Sequence, residues 1–458
     1  MPALELTAPQ AAVLAAQMVD TSTPPGGGQW PPSSGTPADP EDNPAIAAGW
    51  TYFGQFLDHD LTYDPVSRLT GAGQADDDLL DLRTARLDLD SLFGTGPDDQ
   101  PYLYSKADPA KLLVVPHPQE GSAFDLPRNP DERALIGDPR NDVHIIISQL
   151  HLAFAQFHNH VVDAVRTANP AWTAPQVLAE AKRQVIWHYQ WLVVHQYLDL
   201  TVGQPLRTSV LSDGTPGAPG TPGTPPGWTL AYYHLSGEPA YIPKEFSAAA
   251  FRFGHSQVRP TYKLNAGLAP LPVFDGSAAP GRGDLRGFRT RPPGWTVDWS
   301  LFFDLGSGTP PQASRRIDTL LAPALSTLPT TVVTDGATVS LAERNLLRGA
   351  ALHLPSGQDV ARAMDITPIA GTISTPTGAV AMPDPAPLWF YLLAESASSA
   401  AGVHLGPTAG RLVAEVLVGL LVADDSSYLR TDLTWRPTLG GTSGEFTIAD
   451  VLRVGRST

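Results

Sequence analysis

The chain has 458 residues, with 30 Lys and Arg against 46 Asp and Glu, a formal net charge of −16. That balance argues against sequence-independent binding to nucleic acid, which needs a basic face, and against docking on anionic membranes. There is no cysteine, which excludes disulfides, zinc–thiolate sites and thiolate-held haem or iron–sulfur clusters, while 42 % apolar residues suffice for a large core.

Residues 1–20 carry Glu5 and lack a basic first segment. They read as a short amphipathic helix and not as a signal peptide, which favours the cytoplasm over secretion. No apolar run reaches the roughly 20 residues that a membrane-spanning helix needs. Pro and Gly dominate 23–44, so that stretch reads as an irregular arm. Pro44 then suits the first turn of a helix capped by Asn43 or Asp42 and running to about His59.

That helix carries Phe53-Gly54-Gln55-Phe56-Leu57-Asp58-His59-Asp60-Leu61-Thr62. Gln55 and His59, four apart, share a face. Phe53, Phe56 and Leu57 fill another arc at core spacing. Polar groups carried into an apolar interior need partners. Adjacent helical residues diverge by about 100°, so Asp58 and Asp60 cannot both face the partner of His59. His59 can act as an acid–base catalyst while the carboxylates serve other ligands. A histidine merely held by hydrogen bonds is the plainer alternative.

Asp and Gly mark a loop at 71–78, and Gly94, Gly96, Pro97 and Pro101 make 90–108 read as loop. Long helical patterns follow over 142–168 and 175–200. Arg140, in Gly137-Asp138-Pro139-Arg140-Asn141-Asp142, falls at a loop-to-helix junction capped by Asn141. It is either a salt-bridge partner or a fixed positive charge for a developing anion. His151, His158 and His160 lack an acidic partner at ligand spacing and read as an ordinary helix face, not a metal site. Residues 213–227 are low complexity, with glycines every third position but too few units for a collagen helix, so they read as a surface insertion. His255 closes Phe251-Arg252-Phe253-Gly254-His255, where the glycine permits close approach of a flat cofactor. Further helices are expected near 245–254, 313–323, 339–351, 357–364, 386–398 and 407–422. Strand patterns are scarce and no repeat is present. The chain reads as one large, mainly α domain with long loops.

At these residues the chain resembles the animal-type haem peroxidase superfamily, the group of myeloperoxidase and peroxidasin, nearest to its bacterial members. The likeness runs from about Asn43 to about Leu429. Gly54 to Asp60 is similar to the distal-helix motif, and Gly137 to Arg140 to the segment of the distal arginine. Phe251 to His255 is similar to the proximal-histidine motif. Asn345-Leu346-Leu347-Arg348-Gly349 resembles the segment whose asparagine orients the proximal ring, and Leu405-Gly406-Pro407-Thr408 also matches. The motifs stand in the family's order. The resemblance implies a mainly α haem-peroxidase domain over 44–458, including the insertion at 213–227, preceded by the helix and arm at 1–43.

It also implies the chemistry. His255 would ligate the iron of haem b, with Asn345 at its other ring nitrogen. His59 would move the proton of hydrogen peroxide, Arg140 would stabilise the charge of O–O cleavage, and Gln55 would line the cavity. Arg252 would pair with a haem propionate. The oxidised haem would then take electrons from a small-molecule donor, a halide, thiocyanate or aromatic compound. Calcium would bind Asp60, Thr84, Asp88, Asp90 and the carbonyl of Arg86, oxygen ligands that suit a hard cation. Asp58 matches the residue of one haem ester. Val143 replaces the glutamate of the second ester and His144 a haem-bonded methionine, so a link through Asp58 is the only one the resemblance leaves open. A fatty-acid dioxygenase of the cyclooxygenase-like branch is the rival, but Arg252 stands where it needs a tyrosine. A haem-binding protein without turnover could dispense with Gln55, His59 and Arg140.

Overall fold

The computed structural model describes residues 1–21, 41–63, 83–212, 227–235, 240–275, 283–308, 310–333, 338–376 and 378–454. The expected loop at 71–78, the arm at 23–40 and the insertion at 213–226 lie outside the described residues. Within them the helices are α1 (Ala8–Gln17), α2 (Ala48–Leu61), α3 (Asp90–Phe93), α4 (Ile145–Ala168), α5 (Ala174–Leu192), α6 (Leu198–Val202) and α7 (Gln204–Val210). There follow α8 (Lys244–Ser247), α9 (Leu341–Ala351), α10 (Gly357–Ala363), α11 (Leu388–Ser399), α12 (Pro407–Ala423), α13 (Tyr428–Thr431) and α14 (Ile448–Val454). The described strands form only two-stranded antiparallel sheets. The mainly α expectation holds, and no described helix is long and apolar enough to cross a membrane.

Several expected elements differ, among them the helix near 245–254, which is a short α8 followed by a 3-10 turn at Ala250–His255. Pro44 does not open a helix: Asp42–Ala47 is a strand paired with Ala313–Arg315, and α2 begins at Ala48. Asn43 is the local reason. Its Oδ1 accepts from the amides of Ala45 (2.9 Å) and Ile46 (3.1 Å), and its Nδ2 donates to the carbonyls of Gly402 and Val403. A side chain so engaged folds over its own extended backbone instead of capping a helix. The same pairing removes the helix expected at 313–323. Arg315 in the partner strand is buried and donates to Asp20 and Glu41, each at 2.9 Å. Ion pairs to residues so distant in sequence leave no local trace. Finally, α4 starts at Ile145, with His144 as its cap, after a 3-10 turn at Pro139–Asp142 capped by Asp138. The segment 90–108, read as loop, contains α3 and a 3-10 turn at Pro101–Leu103.

Helix α2 is the centre of the core. Phe53, Phe56 and Leu57 are fully buried. Phe56 stacks on Phe154 of α4 at 4.8 Å, and Phe53 packs on Tyr189 and Tyr197. Each such side chain contributes about 1.5–3 kcal/mol through burial. The turn at Ala250–His255 is braced from behind by α9 and α11, where Trp389 Nε1 donates to the Arg252 carbonyl at 3.2 Å. The buried Glu395 of α11 accepts from Thr408 and Ala409 at the start of α12, so an acidic side chain meets the positive end of that helix.

A strap at 284–288 clamps the segment between Pro139 and α4. Gly287 N donates to the Val143 carbonyl (3.0 Å), Phe288 N to that of Asp142 (2.8 Å), and Ile145 N to that of Leu285 (2.9 Å). A Cβ on Gly287 would lie 1.8 Å from the Asp142 carbonyl oxygen. Backbone cannot yield as a flexible side chain does, so Gly287→Ala should cost about 1–3 kcal/mol in urea unfolding. An unchanged midpoint would show that the strap does not hold this segment.

Candidate active site

One cavity gathers the residues expected around haem, apart from Arg140 and Asn345. Helix α2 lines it with Gln55, Asp58 and His59, the turn at Ala250–His255 with Arg252 and His255, and the start of α4 with His144. A Cβ on Gly254 would meet nothing within 4 Å, so the chain leaves open space beside His255.

Gln55, His59 and Asp60 on α2 are each met from a different element. His59, 6 % exposed, places Nδ1 2.7 Å from Oδ1 of the fully buried Asn141. Nδ2 of Asn141 donates in turn to Nδ1 of His151 at 3.1 Å. Gln55 Oε1 accepts from His144 Nε2 at 2.8 Å, and His144 Nδ1 accepts from the Ile147 amide. Burial pushes His59, His144 and His255 down to about 3, helped by the Arg140 charge at His59 and the Arg252 charge at His255. All three rings are therefore neutral near pH 7. A neutral imidazole can accept a proton or bind a metal. The Asn345 Nδ2 donates to His255 Nδ1 at 2.8 Å while its Oδ1 accepts from Arg252, so the neutral His255 ring carries its proton on Nε2 in this arrangement. Burial raises the Asp58 carboxyl, against the pull of Arg140 and Arg252.

Two arginines sit differently from the expectation. Arg140 is not among the lining residues. Its guanidinium donates to Asp138 through Nε and Nη2 (2.7 Å) and to the carbonyls of His59 (3.2 Å) and Thr62 (2.5 Å), and it lies over the Tyr63 ring. It closes the C-terminal end of α2, where carbonyls lack helical donors and a cation is favoured. Arg252 does line the cavity, but its nitrogens donate to the carbonyl of Ser247 (2.9 Å) and to Asn345 Oδ1 (3.1 Å).

Asp60 turns away from the cavity, as the helical geometry requires. It accepts from the amides of Leu89 (3.1 Å) and Ser91 (3.4 Å) and lies with Asp88 and Asp90, their carboxylates all within 4.8 Å of one another. Thr84 Oγ1 donates to Asp88 at 2.9 Å, whereas the Arg86 side chain points out toward Asp424. Burial raises all three carboxyls, Asp90 to about 6, and the crowded neighbouring carboxylates push Asp60 and Asp90 further. Such a cluster is electrostatically strained until a cation or protons neutralise it. His151 and His158, by contrast, are buried hydrogen-bonders, to Asn141 and to the Ala110 carbonyl.

Asn141, His144, Tyr197 and Arg83 were not assigned site roles from the sequence. Tyr197 lines the cavity, its hydroxyl filling the space where a Gly54 side chain would be. Arg83 links the two halves of the site: it donates to Asp138 at 2.6 Å and to Asp90 at 3.3 Å. Asp138, fully buried, thus serves two arginines, which hold its carboxyl well below the ordinary carboxylate range. Its stabilisation is present above pH about 4 and lost as the pH falls below that. Asp138→Asn should cost about 3 kcal/mol at pH 7, the low end for a broken buried pair because Arg140 is 29 % exposed. The deficit should shrink toward pH 3 in denaturant titrations; a constant difference would disprove the ionic role.

The animal haem peroxidase family model matches residues 77–271, a span that includes Asp88, Asp90, Arg140, Arg252 and His255. The human protein named probable oxidoreductase PXDNL is 26 % identical over 207 residues, covering 42 % of this chain and 13 % of its own length. Heme peroxidase 2 of Caenorhabditis elegans is 31 % identical over 123 residues, covering 27 % of this chain and 16 % of its own. The chain thus spans less than a fifth of either relative. Among solved structures, peroxidase A from Dictyostelium discoideum shares the fold with a TM-score of 0.61 at 15 % identity, over 98 % of this chain and 88 % of that one. The fatty acid alpha-dioxygenase of Oryza sativa does so with 0.59 at 16 % identity, over 91 % and 73 %. Residues 77–271 thus match the animal haem peroxidase family, and the chain is similar to peroxidases of that superfamily.

Proposed function

We propose that the protein is a haem-dependent peroxidase that uses hydrogen peroxide to oxidise a small donor. The observation that carries this reading is a pair of neutral histidines, His59 and His255, lining one cavity with each Nδ1 met by an asparagine. The donor set fits haem: a neutral imidazole beside open space, whose Nε2 is freed for iron when the Asn345 amide turns its oxygen toward Nδ1, and an arginine that this turn releases for a propionate. His255 would hold the iron, Asn345 would orient that ring, and Arg252 would take a propionate. Bound haem supplies the redox centre that accepts oxidising equivalents from peroxide and passes them to the donor.

The chain's own residues handle the proton and the water. His59 removes a proton from peroxide at its cavity-side nitrogen and returns it to the departing oxygen. Gln55, fixed by His144, presents its amide to a water or small anion. Arg140 acts from behind α2, holding the His59 carbonyl and adding positive potential to the site. Asp58, raised by burial and lining the cavity, is the side chain placed for an ester to haem. Halide, thiocyanate or a phenol is the donor class that so enclosed a site favours. Calcium would occupy the cluster of Asp60, Asp88 and Asp90, completed by Thr84 and the Arg86 carbonyl, and relieve its repulsion.

Protein supplied with haem should show a Soret band and oxidise guaiacol with peroxide. His255→Ala should lose the axial-ligand signature, and an unchanged spectrum would remove His255 from the iron. A preparation that takes up haem yet stays inert to peroxide, or that oxygenates palmitate without a donor, would overturn the peroxidase reading. Asp60→Ala should lose bound calcium in elemental analysis along with the rise in melting temperature that calcium gives the parent. Equal calcium in both proteins would rule out that site.

A further inference from the structure

Asn141 lies outside the set of residues read as chemical, yet it makes the most direct contact with the base. Its Oδ1 is 2.7 Å from His59 Nδ1, and both groups are buried. An amide oxygen has no proton to give, so this bond needs the proton on Nδ1 of His59. The other end of the amide is also held, donating to His151 Nδ1 at 3.1 Å. The backbone gives Asn141 no freedom either. It sits on the 3-10 turn that Asp138 caps, and its amide donates to the Asp138 carbonyl at 3.0 Å. The turn that delivers Arg140 to the end of α2 therefore delivers Asn141 to the base.

We infer that Asn141 is the positioning residue of His59: it locks the ring as the Nδ1–H tautomer, so that the unprotonated Nε2 faces the cavity. His59 lines that cavity and Asn141 does not, so the edge bonded to Asn141 is the outward edge. A neutral imidazole with the opposite tautomer would present an N–H to peroxide and could not accept its proton. An orienting partner on the far nitrogen of a catalytic histidine is the general means of preventing this. The chain of His59, Asn141 and His151 is then a buried support for one proton position. Its effect on rate rests on the peroxidase reading above, but the tautomer itself does not.

The test begins with the full chain without haem. Long-range nitrogen–proton NMR on histidine-labelled protein, assigned with His59→Gln, should show His59 as Nδ1–H. Asn141→Asp, which keeps an acceptor in place, should retain that tautomer. Asn141→Leu, or Asn141→Ala if the leucine variant does not fold, should lose it. In haem-loaded protein the Leu or Ala variant should react with peroxide about 100-fold more slowly in stopped flow, the scale of a misplaced acid–base group. The Asp variant should recover most of that rate, with the His255 ligation spectrum the same throughout. A parent His59 protonated on Nε2, or an apolar variant with the parent's tautomer and rate, overturns the inference. Failure to take up haem or react with peroxide, with the tautomer as stated, would instead count against the proposed function and leave the assignment of Asn141 supported.

Discussion

Everything about the site follows from one constraint: α2 is buried yet carries polar side chains around much of its circumference. Buried polar groups must be paired. Gln55 and His59 share one face and Asp60 takes another, and each is answered by a different part of the chain, His144, Asn141 and the 89–91 backbone. The helix cannot rotate or slide without breaking several of these bonds together. Its apolar arc, Phe53, Phe56 and Leu57, supplies burial energy; its polar residues supply register.

Asp138 extends this control beyond the helix. One buried carboxylate holds Arg140 against the end of α2 and Arg83 against Asp90. The acidic cluster around Asp60 and the cavity face around His59 thus share a charge network as well as a helix. Neutralising Asp90 would change what Arg83 pairs with, and Arg83 shares its other partner with Arg140. A cation bound in the cluster would therefore set the electrostatics behind the base as well as stiffen a loop.

The polarity of the cavity is managed by exclusion. Its histidines are neutral because they are buried, and Arg252, which lines it, is engaged with protein groups. In such a setting a proton moves only where a lone pair is aimed, which makes tautomer as important as residue type.

Much of this was legible in the chain. The spacing of Gln55 and His59, the divergence of Asp58 and Asp60, and Gly254 before His255 are local facts. Helical geometry converts them directly into direction, and the long helices α4, α5, α9, α11 and α12 followed from apolar periodicity. What the sequence could not show was who answers whom. Asn43 reads as a helix cap but spends its side chain on a turn and on carbonyls at 402 and 403. Arg140 reads as either a salt-bridge partner or a fixed charge for an anion, and packing draws it to Asp138 and to helix-end carbonyls. Asn141 reads as a cap and becomes the partner of His59. These outcomes compare bonds between residues tens to hundreds of positions apart, whose energies depend on distance and burial that no local pattern carries. The sequence alone determined which side chains could do chemistry here. Tertiary structure decided which of them meet, because only packing sets where a buried polar group finds its partner.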